Sequence, residues 1–343
     1  MKEILAHLVA GQTLSEQQAL SAFEQIMSGH AEPAQIGAFA ALLTFRKLTV
    51  DELTGAARAM RRHVVSVAAP QGAIDTCGAG GTGSRIFNVS TTAAIVAAAC
   101  GVPVAKHANR AITSRSGSAD VLQALGVGVR ADPAFQQRCL REAGLCFCYA
   151  PQHHPAMARV AQIRQSLGFA TIFNLMGPLT NPAGVCRQVA GVPRTNLVEQ
   201  FLHVLMRLGT VRAMIVCGND PQDGHLCELT ISGPTRIGEF SGHTARVYKF
   251  TPEDAGLKES SLESCRVNSA EESAVLIRSV LTGRTGPPRD MTLLNSAAAL
   301  WAGGRVDSLR AGIPLAAEAI DSGKASGVLE KLIAISGEKS SGG

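Results

Sequence analysis

From Ile74 onward, short apolar runs of strand length alternate with stretches of helical periodicity: Val102 to Ala105, Leu145 to Tyr149, Val189 to Val192 and Ala213 to Cys217 are the clearest. Such alternation predicts an α/β fold, in which helices cover the faces of a sheet made from those runs. The first 67 residues read differently, with helix signals and no strand-like run. Ser15 with Gln18, and Thr49 with Glu52, form capping-box patterns that start helices, and Gly29 stops the first of them. Between them Ala34, Ile36, Phe39, Ala40 and Leu43 recur at helical spacing after Pro33, a residue suited to a first turn. Ala270 to Leu281, Arg289 to Ala302 and Leu309 to Ile320 read as three further helices. The expected organisation is a helical unit over 1–67, an α/β unit over 68–337 and a flexible tail over 338–343. Ile36, Phe39, Leu42 and Leu43 offer more apolar surface than so small a unit buries alone, which predicts a homodimer.

Composition narrows the partners. Hydrophobic residues at 46% against 17% charged exclude a disordered chain. The longest nearly apolar run, Ala93 to Ala105, is broken by Gly101 and Pro103 and falls short of the roughly 20 residues that cross a bilayer. No membrane span is expected. The N-terminus lacks a small-residue cleavage site, and a cytoplasmic location is expected. Nine cysteines between Cys77 and Cys265, an odd number with no C-x-x-C pair, suit free thiols in a reducing compartment. His153 and His154 have no cysteine at zinc-finger spacing, so no structural zinc is expected. The excess of 32 basic over 27 acidic residues comes with 4% aromatics and no dense basic block. That balance favours small anionic substrates over nucleic acid.

Two segments carry the chemistry. DTCGAGGTGSRIFNVSTTAAIVAAACG, from Asp75, places four glycines within Gly78 to Gly83 and then a helix starting about Ser90. Glycines let a backbone approach a bulky anion, and the first amides of a helix favour negative charge; Asn88, Ser90 and Thr91 add polar groups at the same place. The second, KHANRAITSRSGSADVLQALG from Lys106, gathers Lys106, Asn109, Arg110, Ser114, Arg115, Ser116 and Ser118 into one loop after a strand. Several donors on one loop suit a phosphate or pyrophosphate. Loops after successive strands of an open α/β sheet face a common cleft.

These two segments, together with HHPAMARVAQIRQSLGFATIFNLMGPLTNPAG from His153, ISGPT from Ile231 and GPPRDMTLLNSAAAL from Gly286, resemble the anthranilate phosphoribosyltransferase family of nucleoside-phosphorylase-like transferases, in order over nearly the whole chain. The resemblance implies a small helical domain, dimerising through that part, joined to a larger α/β domain with a central mixed sheet. It also implies a reaction that joins the amine of anthranilate to C1 of phosphoribosyl pyrophosphate (PRPP), releasing pyrophosphate, with Mg2+ assisting. Carried over by position, it puts Gly78, Gly81, Thr82, Asn88, Ser90, Thr91, Lys106, Ser114 and Ser118 against the donor. Lys106, Asn109 and Arg110 become the catalytic cradle, and Gly78, Asn109 and Arg164 meet the acceptor, Arg164 at its carboxylate. Ser90 and Glu228 are the expected magnesium ligands, with Asp223, or Asp220, of the preceding segment as the alternative carboxylate. His107 is read as shaping the loop, and Asp75, at a strand end, as either a turn residue or a site residue.

Four positions depart from the pattern. Thr82 stands where the glycine loop normally carries Asp, Ile86 where a hydroxyl residue is usual, Ala108 where the lysine loop has Gly, and Cys227 in place of the first carboxylate of an Asp-Glu pair. The segment before Cys227, GNDPQDGHL, is slightly longer and contains Asp220 and Asp223. A magnesium ion prefers hard oxygen ligands to a thiol. The sequence therefore predicts a phosphoribosyltransferase with a weakened metal site and altered or slow transfer. Its alternatives are a transferase or phosphorylase for another aromatic or base substrate, and an inactive paralogue that binds a ligand or nucleic acid.

Overall fold

The computed structural model describes residues 1–110, 117–129 and 132–337. Ser114 and the expected tail over 338–343 lie outside the described residues. The chain opens with helices α1 (Lys2–Val9), α2 (Glu16–Met27), α3 (Pro33–Arg46) and α4 (Val50–Arg62). Both capping boxes form: the Ser15 hydroxyl accepts from the Gln18 amide at 3.3 Å, and Thr49 Oγ1 from the Glu52 amide at 3.2 Å. Each N3 side chain bonds back to the cap amide at 2.9 Å. Pro33 takes the first turn of α3 and Gly29, at φ 80°, follows the end of α2. α1 was not anticipated from sequence.

The α/β part runs β1 (Ile74–Asp75), α5 (Val89–Ala99), β2 (Val104–Ala108), α6 (Ser118–Ala124), α7 (Pro133–Ala143) and β3 (Leu145–Tyr149). There follow α8 (Ala150–His153), α9 (Ala158–Leu167), α10 (Ile172–Leu175), β4 (Arg187–Gly191), α11 (Asn196–Arg207), β5 (Arg212–Asp220) and β6 (Gly224–Leu226). A hairpin of β7 (Thr235–Ser241) and β8 (Thr244–Phe250) precedes α12 (Ala270–Leu281), α13 (Pro287–Ala302), α14 (Leu309–Asp321) and α15 (Lys324–Gly337). The sheet order is β3-β2-β1-β4-β5-β7-β8, with β6 also on β5. β3 to β5 run parallel along this order, and β6, β7 and β8 are antiparallel, so the sheet is mixed.

Side chains alternate across β5 between two cores. Met214 and Val216 join the core under α5, α12, α13 and α15, whereas Ala213, Ile215 and Cys217 join the one shared with α2, α3, α4 and α11. The helical unit thus shares its apolar core with one face of the sheet. This corrects the sequence argument for a dimer: Ile36, Phe39 and Leu43 are buried by their own chain, against residues such as Val160, Ile172 and Phe173, rather than left for a second copy. The large exposed apolar side chain of α3 is Phe45, at 92%.

Candidate active site

The carboxyl ends of β1, β2, β4 and β5 gather the sequence motifs on one side of the sheet, where ligands of open α/β sheets bind. After β1 the glycine loop lies along the end of β4. Gly78 bridges to Gly191, and the Ala79 amide donates to the Gly191 carbonyl at 2.8 Å. Gly80, Gly81 and Gly83 take φ of 66°, 82° and 71°, a region that side-chain-bearing residues avoid. The Thr82 hydroxyl accepts from the Ser84 amide at 3.3 Å, so it braces the loop from within. Ile86 bridges to Arg266, and the Phe87 amide donates to the Cys265 carbonyl at 2.9 Å. The loop is thereby seated on the segment before α12. Asn88, just before α5, donates its amide to the Ser273 hydroxyl, which returns a bond to Asn88 Oδ1, both at 3.1 Å. Thr91 is fully buried and its hydroxyl has no hydrogen-bond partner.

Three of the expected residues meet at the start of α5. Lys106, 2% exposed, donates from Nζ to the Thr76 carbonyl at 2.7 Å and to Ser90 Oγ at 3.2 Å. Glu228 lines the same cavity as Ser90, whose side chain and amide help to favour the charged carboxylate. Burial pushes the Glu228 carboxyl up to about 7, against the opposing pull of Lys106 and Ser90. A narrow cavity at this point is lined by Thr76, Ser90, Gly191, Cys227, Glu228 and Asn295. Its wall carries a hydroxyl and a carboxylate at the start of α5, with the Lys106 ammonium on Ser90 behind them, a set of groups suited to a metal-bridged pyrophosphate.

The neighbouring positions show what the departures do. Cys227 Sγ points to the Gly80 carbonyl at 3.6 Å, and burial raises its thiol well above the ordinary cysteine value. A Cβ on Gly191 would collide with the Cys227 carbonyl oxygen, so only glycine lets the two segments touch. Asp220 and Asp223 do not supply the missing carboxylate. Arg266 holds Asp220 through Nη2 at 2.9 and 3.1 Å and Asp223 through Nη1 at 2.5 Å. The expectation of Asp223 as a metal ligand is therefore corrected: its charge is taken up by a guanidinium. Among the described residues no three His, Cys, Asp or Glu side chains converge as a metal cluster. Glu228 and Ser90 remain as hard oxygen donors, and this pair fits magnesium, which keeps much of its shell for water and substrate phosphates. The Cys227 thiol does not fit a second such ion.

On the other flank, the Asp75 carboxylate is fully buried and structural. It accepts from the His107 amide at 3.1 Å and from Asn181 Nδ2 at 2.7 Å, tying β1 to β2, and burial raises it to about 6. His107 donates from Nδ1 to the Gly177 carbonyl at 2.9 Å and packs on the His154 ring at 5.1 Å. Asn109 and Ser118 close the ends of the lysine loop on each other: Ser118 Oγ accepts from the Asn109 amide at 3.1 Å and donates to its carbonyl at 3.3 Å. Arg110 is exposed, 3.9 Å from Asp120. Arg164 lies on α9, which packs on α3, and makes no hydrogen bond with the Lys106 cluster. Burial lowers its pKa, and among the described residues no charged neighbour offsets this and Nε has no partner. A half-buried guanidinium without a counter-ion is suited to a carboxylate ligand. Sequence reading missed Asn295, Gly191 and Arg266. Asn295 lies inside one of the quoted motifs, but nothing local distinguishes it from an ordinary helix asparagine.

Comparison with known proteins agrees with this geometry. Residues 2–64 match the model of the helical bundle domain of a glycosyl transferase family, and residues 70–326 match that of its a/b domain. Anthranilate phosphoribosyltransferases from Rhodopseudomonas palustris (strain BisB5) and Paramagnetospirillum magneticum are each 48% identical, over 97% and 99% of this chain and 98% and 97% of their own. The chain belongs to the anthranilate phosphoribosyltransferase family. Among solved structures, the family member from Thermus thermophilus is 38% identical with a TM-score of 0.90, covering 97% of this chain and 98% of that one. The Saccharomyces cerevisiae enzyme, solved in complex with PRPP and Mg, is 28% identical with a TM-score of 0.86, covering 97% and 96%. Membership gives the Lys106, Ser90 and Glu228 cluster its setting, a phosphoribosyltransferase fold. No helix among the described residues is long and apolar enough to cross a membrane.

Proposed function

We propose that the protein transfers the phosphoribosyl group of PRPP to the amine of anthranilate, using one protein-held magnesium site in place of a carboxylate-rich one. The observation that carries this reading is the Lys106, Ser90 and Glu228 cluster at the start of α5, beside the glycine loop. Glu228 and Ser90 would hold the metal, which would supply positive charge to offset that of the pyrophosphate. The C1–oxygen bond to pyrophosphate breaks with its electron pair leaving on the phosphate oxygen, while the amine nitrogen forms the new bond to C1 and then sheds a proton. Lys106 and the first amides of α5 stabilise the departing charge, and no protein nucleophile is needed. Gly78, Gly81, Thr82, Asn88, Thr91, Ser114 and Ser118 shape the donor site, with Arg110 at its edge. Asn109 and Arg164 face the aromatic acid, its carboxylate on the Arg164 guanidinium.

The protein works in the cytoplasm as a homodimer, with the helical unit ending near residue 67. Phe45 at the end of α3 and Val9 at the end of α1, 92% and 73% exposed, support pairing through that unit. Sedimentation at micromolar concentration tests the dimer: a single species of monomer mass rejects it. The catalytic reading is tested by calorimetric titration with PRPP, with and without magnesium, followed by assay of phosphoribosylanthranilate formation. Binding of PRPP that needs magnesium, followed by product, is the expected result. No donor binding under either condition rejects it.

A further inference from the structure

Leu229 follows Glu228 directly and is fully buried. It lies beyond the end of β6 at Leu226, so no strand neighbour serves its peptide groups. Asn295 of α13, itself 4% exposed, takes that place. Its Oδ1 accepts from the Leu229 amide at 3.1 Å, while its Nδ2 donates to the Leu229 carbonyl at 2.9 Å and to the Met291 carbonyl at 2.9 Å. A carboxamide is the side-chain group that can both accept from a backbone N–H and donate to the C=O of the same residue, as an adjacent strand does. An isosteric aspartate loses the donor, and an alanine leaves two buried backbone groups unpaired. The residue so gripped is next to Glu228, which lines one cavity with Ser90 and Asn295, and Ser90 in turn accepts from Lys106.

We propose that Asn295 is a positioning residue for Glu228: by fixing the peptide of Leu229 it sets the direction from which the Glu228 carboxylate meets the magnesium of the donor complex. The proposal rests on the reading that Glu228 holds that metal. α13 is buried and packed on α5, the helix that carries Ser90, so one scaffold sets both oxygen donors. Groups that orient a metal ligand without touching the metal typically change metal affinity about 10- to 100-fold when removed.

The test uses the full-length protein with Mn2+ as a spectroscopic probe, titrated by electron paramagnetic resonance in the presence of PRPP. Asn295→Ala is expected to weaken Mn2+ binding about tenfold or more, and to raise the magnesium concentration for half-maximal turnover in parallel. Its KM for anthranilate should stay within about twofold of wild type. A purely structural role would reduce the fraction of folded sites and leave the affinity of those sites unchanged. In a Glu228→Gln background, adding Asn295→Ala should cause no further loss of Mn2+ affinity, since the two act through one group. Unchanged affinity in folded Asn295→Ala, or an equal fold-loss in both backgrounds, overturns the proposal. Should Asn295→Ala not be recovered folded, Asn295→Ser carries the same comparison. Wild-type protein that binds Mn2+ no better with PRPP than without it overturns the underlying reading instead, and the positioning role with it.

Discussion

Arg266 grips the buried carboxylate of Asp220 with one nitrogen, Nη2, at 2.9 and 3.1 Å, and reaches Asp223 with the other. Its backbone pairs with Ile86, so the same residue joins the β5–β6 hairpin to the foot of the glycine loop. Breaking a buried pair from one side leaves an uncompensated charge. Arg266→Met should therefore destabilise the protein by about 3 kcal/mol or more, and adding Asp220→Asn should recover part of that loss. Denaturant unfolding of the single and double variants measures both effects. A single variant as stable as wild type would show that the pair holds nothing.

Lys106 has no carboxylate clamped to its ammonium and directs its bonds to Thr76 and Ser90. On the proposed reading it meets phosphate oxygen of the donor. Lys106→Ala should weaken PRPP binding by about 1.5–3 kcal/mol, the range for a charge-assisted contact. Calorimetry reads this directly, and unchanged affinity would remove Lys106 from the donor site.

Arg164 is poised differently, half-buried and without a counter-ion among the described residues. Arg164→Ala should raise KM for anthranilate severalfold while KM for PRPP changes little. A matched rise in both would trace to damaged folding rather than a lost carboxylate contact.

Thr82 and Cys227 stand where the family resemblance leads one to expect carboxylates, and the Cys227 thiol is directed at the Gly80 carbonyl. Paired carboxylates there would favour a hard cation that a hydroxyl and a thiol do not hold. Thr82→Asp with Cys227→Asp should lower the magnesium requirement and raise turnover, whereas without magnesium the new charge beside Gly80 should cost stability. Initial rates across a magnesium series decide it. Wild-type turnover of about 1 per second or faster, unimproved in the double variant, would mean that the two departures carry no penalty.

His107 and His154 are buried ring against ring, and burial, first, with their neighbours depresses them to about 3 and about 4 from an ordinary value of 6.5. The unfolded chain binds those protons first. Stability is therefore full above the ordinary histidine value and is lost as pH falls below 6.5. For His154 alone the loss reaches about 3 kcal/mol by pH 4. Asp75 and Glu228, raised by burial to about 6 and about 7, work in the opposite sense over the same window. The contribution of His154 is therefore read as a difference: the thermal midpoint of His154→Gln should fall less steeply than wild type between pH 6.5 and 4. Parallel curves would show that His154 does not carry the effect.

Local patterns in the chain already specified the elements that carry the site. Capping residues such as Ser15 and Thr49 act over one helical turn, and the β3 and α12 boundaries follow apolar periodicity within a few residues, so both are legible without knowing the partners. The glycine loop and Lys106 were legible for the same reason, since backbone freedom and a strand-end cation are properties of short segments. What Asp220 and Asp223 do was not. Two carboxylates near a metal motif read as ligands until a guanidinium 46 residues beyond Asp220 claims them. The fate of Ile36 and Phe39 depended on whether α9 and α10 or a second chain would cover them, and the grip of Asn295 on Leu229 spans 66 residues. Hydrophobic burial and buried hydrogen bonds join distant segments. Periodicity shows that a side chain needs a partner, and the packing of the sheet with its helices selects which one it gets.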